Sequence, residues 1–338
     1  MRYVLDVKSL LPGDIILVGY NDKNSRKIQQ RTNSKYSHAM LYWYGSILHA
    51  SDIVITKNPS RELFEEDENV CVLRLKDEHW NSFAIQALIN YARSFVGTYY
   101  DYDALFAMKR GEEVVPNENR QMCSKFIAQC YEYVCLDLVD DYNLCSPEDI
   151  RNSAILREIP NCLREATQDD IDFAEKIKDV TKEQHKAIKS FLESLNMQYP
   201  KEDIVSLKQL ERFIEDNPNE GDCVLGLLKK TDYFDLWKIE KKYCSFLYDV
   251  DAFKEMWKKN AGSQARAVIN DCERIIEEKQ GDIQVYKTKQ LTIGDFEYYR
   301  QMIVLRENII RAAKERIEVA TKVLADLGVV KIKFPWCQ

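Results

Sequence analysis

The stretch Asn119-Arg-Gln-Met-Cys123-Ser-Lys-Phe-Ile-Ala-Gln-Cys-Tyr-Glu132 decides how this chain is read. Phe126, Ile127, Cys130, Tyr131 and Val134 recur at three- and four-residue steps, so the segment is expected to form a helix with one apolar, buried face. Cys123 opens that helix. A thiol in a first helical turn meets backbone N–H groups that lack intrahelical partners, together with the positive end of the macrodipole. Both favour the thiolate, the form that attacks carbonyl carbon. A cysteine also packs well as a small apolar residue, and the chain holds ten of them, so position alone assigns Cys123 no role.

Upstream, Pro12-Gly13-Asp14 reads as a turn before an apolar strand over 15–20, and the polar stretch 21–35 holds a short helix around Ile28-Gln29-Gln30. Residues 37–44 and 47–51 alternate as two strands about a Gly45-Ser46 turn. Such a hairpin puts His38, Met40, Tyr42 and Tyr44 on one face, with Ile47 and His49 beside them on the partner strand. That turn sets Tyr44 opposite Ile47 and Tyr42 opposite His49, leaving His38 two positions further along the face. The two histidines become near neighbours. A short strand over 70–75 follows, then a helix carrying Trp80, Ala84, Leu88, Tyr91 and Phe95 that stops at Gly97. Beyond it lie an aromatic and acidic run over 97–106, a charged loop over 109–118, and a last short segment opened by Ser146-Pro-Glu-Asp-Ile150.

Past Pro160 the pattern changes to dense Lys and Glu with long helical periodicities, so domains are expected at 1–160 and 161–338, the second all-helical. Helices are expected over 169–195, 201–215, 231–259, 264–289 and 295–327, with breaks at Pro200, Pro218, Gly262 and Gly294. Phe234, Trp237, Tyr243, Phe246, Leu247, Phe253 and Trp257 form an aromatic seam expected to be buried. The 338 residues are 45% apolar and 30% charged, with 18 basic against 23 acidic residues up to Pro160 and 30 against 32 after it. Neither part is a basic pole, which disfavours nucleic acid as the main partner. No run of 18 apolar residues occurs, so no integral membrane segment is expected. The first residues lack a signal peptide's apolar region, so the expected location is cytoplasmic unless a dedicated secretion system exports the protein. The cysteines show no Cys-x-x-Cys pairing, so reduced thiols, no metal and no cofactor are expected.

A cysteine nucleophile needs a base and a third group that orients the base. Of the four histidines, His79 and His185 lie among charged residues and read as surface groups, whereas His38 and His49 lie in apolar strands where each ring must find a partner. Taken in order, Pro12-Gly13-Asp14-Ile-Ile-Leu-Val, Tyr36-Ser37-His38-Ala, Leu48-His49-Ala50, Gly97-Thr-Tyr-Tyr-Asp101, Met122-Cys123-Ser124-Lys-Phe-Ile and Ser146-Pro-Glu-Asp-Ile resemble the circularly permuted, NlpC-type papain-like hydrolases of the YaeF/YiiX group. The resemblance covers roughly residues 8 to 160. It implies an α+β domain, a small antiparallel sheet with the Cys123 helix packed on it, in which Cys123 is the nucleophile, His38 the base and His49 the polar orienter. Members often carry Glu at the orienting position. A second histidine there resembles the lecithin:retinol-acyltransferase-like branch, and Asp52 is a reserve orienter. Tyr36, Tyr42 and Ser124 are expected to contact substrate, and the Cys123 backbone N–H to supply part of an oxyanion hole.

The leading expectation is a thiol hydrolase that cleaves an amide or isopeptide bond of a peptide or related substrate. Two alternatives stand beside it: a lipid-directed acyl hydrolase or acyltransferase, suggested by His49 and by Tyr42, Trp43 and Tyr44, and a catalytically idle binding or scaffolding module. The helical half is expected to cap the cleft, select substrate, bind a protein partner or self-associate.

Overall fold

The structure is a computed structural model describing residues 1–66, 69–110, 112–113, 115 and 117–329. Its strands are β1 (Tyr3–Leu5), β2 (Ile15–Val18), β3 (His38–Trp43), β4 (Ser46–Ala50), β5 (Val54–Lys57), β6 (Val70–Leu75), β7 (Leu156–Glu158) and β8 (Leu163–Glu165). The helices are α1 (Lys23–Thr32), α2 (Ser82–Arg93), α3 (Tyr102–Arg110), α4 (Cys123–Glu132), α5 (Pro147–Arg151), α6 (Gln168–Lys176), α7 (Val180–Gln198), α8 (Leu207–Asp216), α9 (Gly221–Leu228), α10 (Leu236–Tyr243), α11 (Val250–Trp257), α12 (Ala261–Thr292) and α13 (Glu297–Asp326). The fold is α+β, with small antiparallel sheets and a C-terminal helical region. Two compact units divide the chain: Met1–Lys176 with Tyr199–Glu211, and Ile177–Gln198 with the residues from Arg212 onward.

In the first unit, six antiparallel strands lie in the order β5-β4-β3-β2-β6-β7, and β1 pairs with β8 in a separate ribbon. Alternation along the strands splits the core in two. Ile15, Leu17, Ala39, Leu41, Trp43, Leu48, Leu73 and Leu75 face one side and pack against Ile85, Leu88 and Ile89 of α2 and Phe126, Ile127, Cys130 and Tyr131 of α4. Ile16, Val18, Met40, Tyr42, Ile47 and Val72 face the other side, over Leu5, Leu10 and Phe64. The Pro12-Gly13-Asp14 turn anchors this sandwich. Gly13 sits at φ +90°, its carbonyl accepts the Tyr131 hydroxyl, and the buried Asp14 carboxylate takes both Arg74 Nε (2.7 Å) and Nη2 (2.6 Å).

The hairpin turn falls one residue earlier than the sequence reading placed it. Tyr44 (φ 38°) and Gly45 (φ 76°) are both left-handed, as a two-residue turn matching strand twist requires. Tyr42 therefore pairs with Ile47, and Leu41 with Leu48. Carried one step further, this register sets His49 beside Met40, so His38 is the next residue along the same face rather than two positions away. The polar stretch after β2 forms a longer helix than expected because Asp22 caps it, accepting the N–H groups of Asn24 (2.8 Å) and Ser25 (3.1 Å).

In the second unit, α12 and α13 pack along each other through Cys272, Ala313 and Ile317, joined through Gly294 at φ +146°. The break read at Gly262 falls just ahead of it, at the 3-10 turn Lys258–Asn260, and Gly262 is the second residue of α12. The helix expected over 231–259 is instead broken into α10, α11 and short 3-10 turns, and the one over 169–195 splits between α6 and α7. Phe246, Phe253 and Trp257 of the aromatic seam are buried, while Phe234, Trp237 and Tyr243 are half-buried. No helix among the described residues is long and apolar enough to cross a membrane.

Candidate active site

α4 begins at Cys123 with Met122 as its N-cap, whose side chain makes no cap bond. The segment ahead of it is tied on both sides. Gln121 N–H donates to the Tyr99 carbonyl (3.0 Å), Asp101 N–H donates to the Gln121 carbonyl (2.9 Å), and the buried Lys125 Nζ donates to the Asn117 carbonyl (2.7 Å). Residues 97–101 are in turn laced to the start of β5, since Gly97 N–H donates to the Val54 carbonyl and Val54 N–H to the Thr98 carbonyl, both at 2.8 Å. This extended run brings Tyr100 to the start of α4. On the other side, the Ser124 hydroxyl donates to the Cys145 carbonyl (2.6 Å). That carbonyl directly precedes the Ser146-Pro-Glu-Asp run, which forms a capping box: Asp149 N–H to Ser146 Oγ (3.2 Å) and Ser146 N–H to Asp149 Oδ2 (2.7 Å).

Cys123 is 6% exposed. Its sulfur faces the backbone N–H groups of Ala39, Ser124 and Cys123 itself, and the Tyr100 hydroxyl. Burial nonetheless pushes the thiol above its ordinary range, and these donors only partly offset that. Here the structure differs from the sequence reading: the helix start favours a thiolate, but desolvation wins and the resting group is a neutral thiol.

Ala39 follows His38, the first residue of β3. His38 Nε2 lies 3.0 Å from His49 Nδ1, with the rings edge to face at 5.2 Å between centroids. Burial, with a smaller push from the Lys57 ammonium, lowers His38 to about 4, so its ring is neutral at pH 7. Tyr20, two residues beyond β2, sits 6.1 Å from the His38 ring between centroids, and on the same face Lys57 pairs with the buried Glu62 carboxylate. Sequence reading missed this group. Tyr20 continues the alternation of Ile16 and Val18 onto the histidine face, a signal that was available; Glu62, in a stretch of weak pattern, offered none.

The other expected site residues are buried and bonded within the fold. Tyr36 is buried in the core on the α4 side with its hydroxyl beside the Cys71 thiol, Tyr42 accepts the Gly45 N–H (3.0 Å), and Ser124 is spent on Cys145. Asp52 accepts the Tyr102 hydroxyl (2.6 Å), so the partner seen at the His38 ring nitrogen is His49. His185, read as a surface group, is half-buried with Nε2 shielded from solvent. Nine cysteines are free, Cys135 and Cys223 of them exposed; Cys337 lies outside the described residues. Among the described residues, no group of three or more His, Cys, Asp or Glu stands together so as to hold a metal ion.

The thiol opens a buried helix whose sulfur faces the Ala39 N–H of β3, and the strands β3 and β4, which carry the bonded pair His38 and His49, come earlier in the chain than the cysteine. Residues 9–161 match the family model described as permuted papain-like amidase enzyme, YaeF/YiiX, so the N-terminal part of this chain carries a papain-like domain of that group, and the match supports cysteine-type amidase or peptidase activity in general. A solved structure described as metalloprotein YiiX from Escherichia coli O157:H7 is 16% identical, with 45% of this chain and 97% of that one covered at a TM-score of 0.35. None of the curated proteins matches the chain.

Proposed function

We propose that residues 9–161 form a thiol hydrolase of amide or isopeptide bonds in which Cys123 is the nucleophile, His38 the base and His49 the orienter. The observation that carries this reading is the 3.0 Å bond between His38 Nε2 and His49 Nδ1, one residue from the backbone amide that faces the sulfur. With Nε2–H donated to His49, His38 keeps a bare Nδ1 for the Cys123 proton. Sulfur then attacks the acyl carbon as that proton passes to His38. The oxyanion that develops is met by the uncapped N–H groups of Cys123 and Ser124. Collapse breaks the C–N bond, His38 gives its proton to the leaving amine, and a thioester remains. Water, losing its proton to His38, attacks the thioester; the acid leaves and the proton returns to sulfur. Tyr36, Tyr42 and Ser124, each buried, support the elements around this site and take no part in these steps.

In a Cys135→Ser/Cys223→Ser background, iodoacetamide should carbamidomethylate Cys123 at a rate that falls about 100-fold in His38→Gln, the usual scale of a general base. Peptide mapping by mass spectrometry reads that rate, and equal rates at Cys123 with and without the imidazole would end the assignment.

One observation favours the lipid-directed acyl hydrolase or acyltransferase as a second reading. Tyr102 and Phe106, 43% and 46% exposed, continue an aromatic row from Tyr100, with ring spacings of 5.1 and 6.2 Å. Acyl-chain release from phospholipid vesicles without cleavage of any amide would decide for it.

A further inference from the structure

The chain returns to the first unit after leaving it. α7 ends at Gln198, where Pro200 bars another helical turn, and the segment Tyr199–Glu211 belongs to the same compact unit as the strands, well beyond the family match at 9–161. Asp203, at φ 43°, turns this segment, and Ile204, Val205 and Ser206 after it are buried, at 2%, 1% and 6% exposure. Two side chains set the bend locally. Ser206 Oγ accepts the Gln209 N–H (3.1 Å), and Gln209 Oε1 reaches back to accept the Val205 N–H (2.8 Å). Beside them in the first turn of α8, the Lys208 ammonium lies 5.7 Å from the Tyr91 ring centroid of α2. Val205 is thereby placed to act through its carbonyl, which accepts the Tyr99 N–H (2.9 Å). The Tyr99 carbonyl in turn accepts the Gln121 N–H (3.0 Å), and Gln121 stands two residues ahead of Cys123. On the other edge of the same run, the Asp52 carbonyl accepts the Tyr100 N–H (2.9 Å).

We propose that residues 199–211 are a strap for the nucleophile, with Gln209 its positioning residue: by holding the Val205 carbonyl on the Tyr99 amide, the strap fixes the run 97–101 and, through Gln121, the start of α4. The proposal rests on the reading of Cys123 as nucleophile and His38 as its base. Those two groups come from different elements, Cys123 from α4 and His38 from β3, so their separation is only as well defined as the backbone that carries the helix start. A displacement of about 1 Å costs up to about 100-fold in rate, so modest slack ahead of Cys123 is enough to matter. Without the strap, the half-buried Tyr99 amide loses its bond to Val205, and the run 97–101 is held by Val54, Asp52 and Gln121 alone among the backbone bonds described above. The domain that performs the chemistry is then residues 9–161 completed by 199–211.

The test uses the full chain in the Cys135→Ser/Cys223→Ser background. It reads the factor by which His38→Gln slows carbamidomethylation of Cys123 by iodoacetamide at pH 7, a ratio from which any change in reagent access cancels. In the parent that factor is about 100. Gln209→Leu removes the acceptor of the Val205 N–H and should cut the factor to about 10, whereas Gln209→Glu keeps an acceptor oxygen and should restore most of it. Hydrogen exchange should quicken in peptides covering 97–101 and 119–122 and stay at the parent rate in β3 and β4, which separates a slack strap from a lost fold. Ser206→Ala, a milder cut at the same bend, should move both readings in the same direction and answers the question if Gln209→Leu folds poorly. A factor within two-fold of the parent's, or unchanged exchange at 97–101, overturns the strap. If His38→Gln leaves the parent rate unaltered, the reading of the base has failed and this proposal falls with it; the parent's own factor tells the two failures apart.

Discussion

Acidifying the protein from pH 7.5 to pH 4.5 should weaken its first unit through His38, and the size of the effect follows from where that ring sits. Burial holds His38 at about 4 against an ordinary value of 6.5. The unfolded chain therefore takes a proton below pH 6.5 that the folded chain refuses until about pH 4. Stability from this group is complete above pH 6.5, declines as pH falls from 6.5 to about 4, and is flat below. At about 1.4 kcal/mol per unit, the full shift corresponds to about 3.4 kcal/mol, of which about 2.5 is expressed by pH 4.5. Because the ring is only half-buried, water reaching it reduces the expected loss to roughly 1.5–2.5 kcal/mol. Carboxylates titrate in the same range, so the useful quantity is a difference: the gap between wild type and His38→Gln at pH 7.5 minus the gap at pH 4.5. Urea unfolding read by hydrogen exchange of β3 and β4 peptides reports this unit without the helical one. Parallel stability curves for the two proteins, or a His38 ring that titrates near 6.5 by NMR, would refute the reasoning.

Other perturbations test the supports of the site. Arg74→Met strands the Asp14 carboxylate, which is 1% exposed, and should destabilise the first unit by about 3–5 kcal/mol, measured as a shift in its urea midpoint. Ser146→Ala removes one half of the capping box and should lower stability by about 1 kcal/mol while leaving Cys123 labelling within two-fold. The domain proposed at 1–160 should gain protease resistance when extended to Lys176, because β8 pairs with β1 and the Arg61 guanidinium lies over the Phe173 ring of α6 at 4.7 Å; equal digestion rates would place the boundary at Pro160.

Period-2 and helical spacing carried most of the architecture of the first unit, because each strand and helix there buries a face. Ile15, Leu17, Leu41 and Leu73 had to point at Phe126 and Tyr131, and the sequence already arranged them to do so. The hairpin register was less legible. Gly45 marks a turn wherever it stands, but placing Tyr44 rather than Ser46 beside it requires a non-glycine residue with positive φ, which sequence pattern does not announce. Since that slip amounts to two residues in pairing, every side chain kept its face, and His38 and His49 still met. The second unit was harder to cut into elements. A helix such as α12 runs through Gly281 because packing against α13 overrides propensity, while 231–259 breaks into short pieces without a proline to mark the breaks.

The charge state of Cys123 depends on how two opposing effects balance, and spacing alone cannot weigh them. A helix start lowers a thiol's pKa within one turn, whereas removal from water raises it in proportion to burial, and burial is a property of what the rest of the chain places on top. At Cys123 the Ala39 N–H of β3 and the Tyr100 hydroxyl, from a strand-like run 23 residues upstream, join the helix-start N–H groups in favouring the thiolate, and burial still outweighs them. With both sulfur and imidazole neutral at rest, proton transfer and attack are expected to be coupled, so the rate of thiol chemistry should hold down to about pH 4 to 5, where His38 takes its proton from water instead. A rate that already falls with a midpoint near 6.5 would mean that the ring is open to solvent when it acts, and that the buried arrangement of His38 and His49 is not the reactive one.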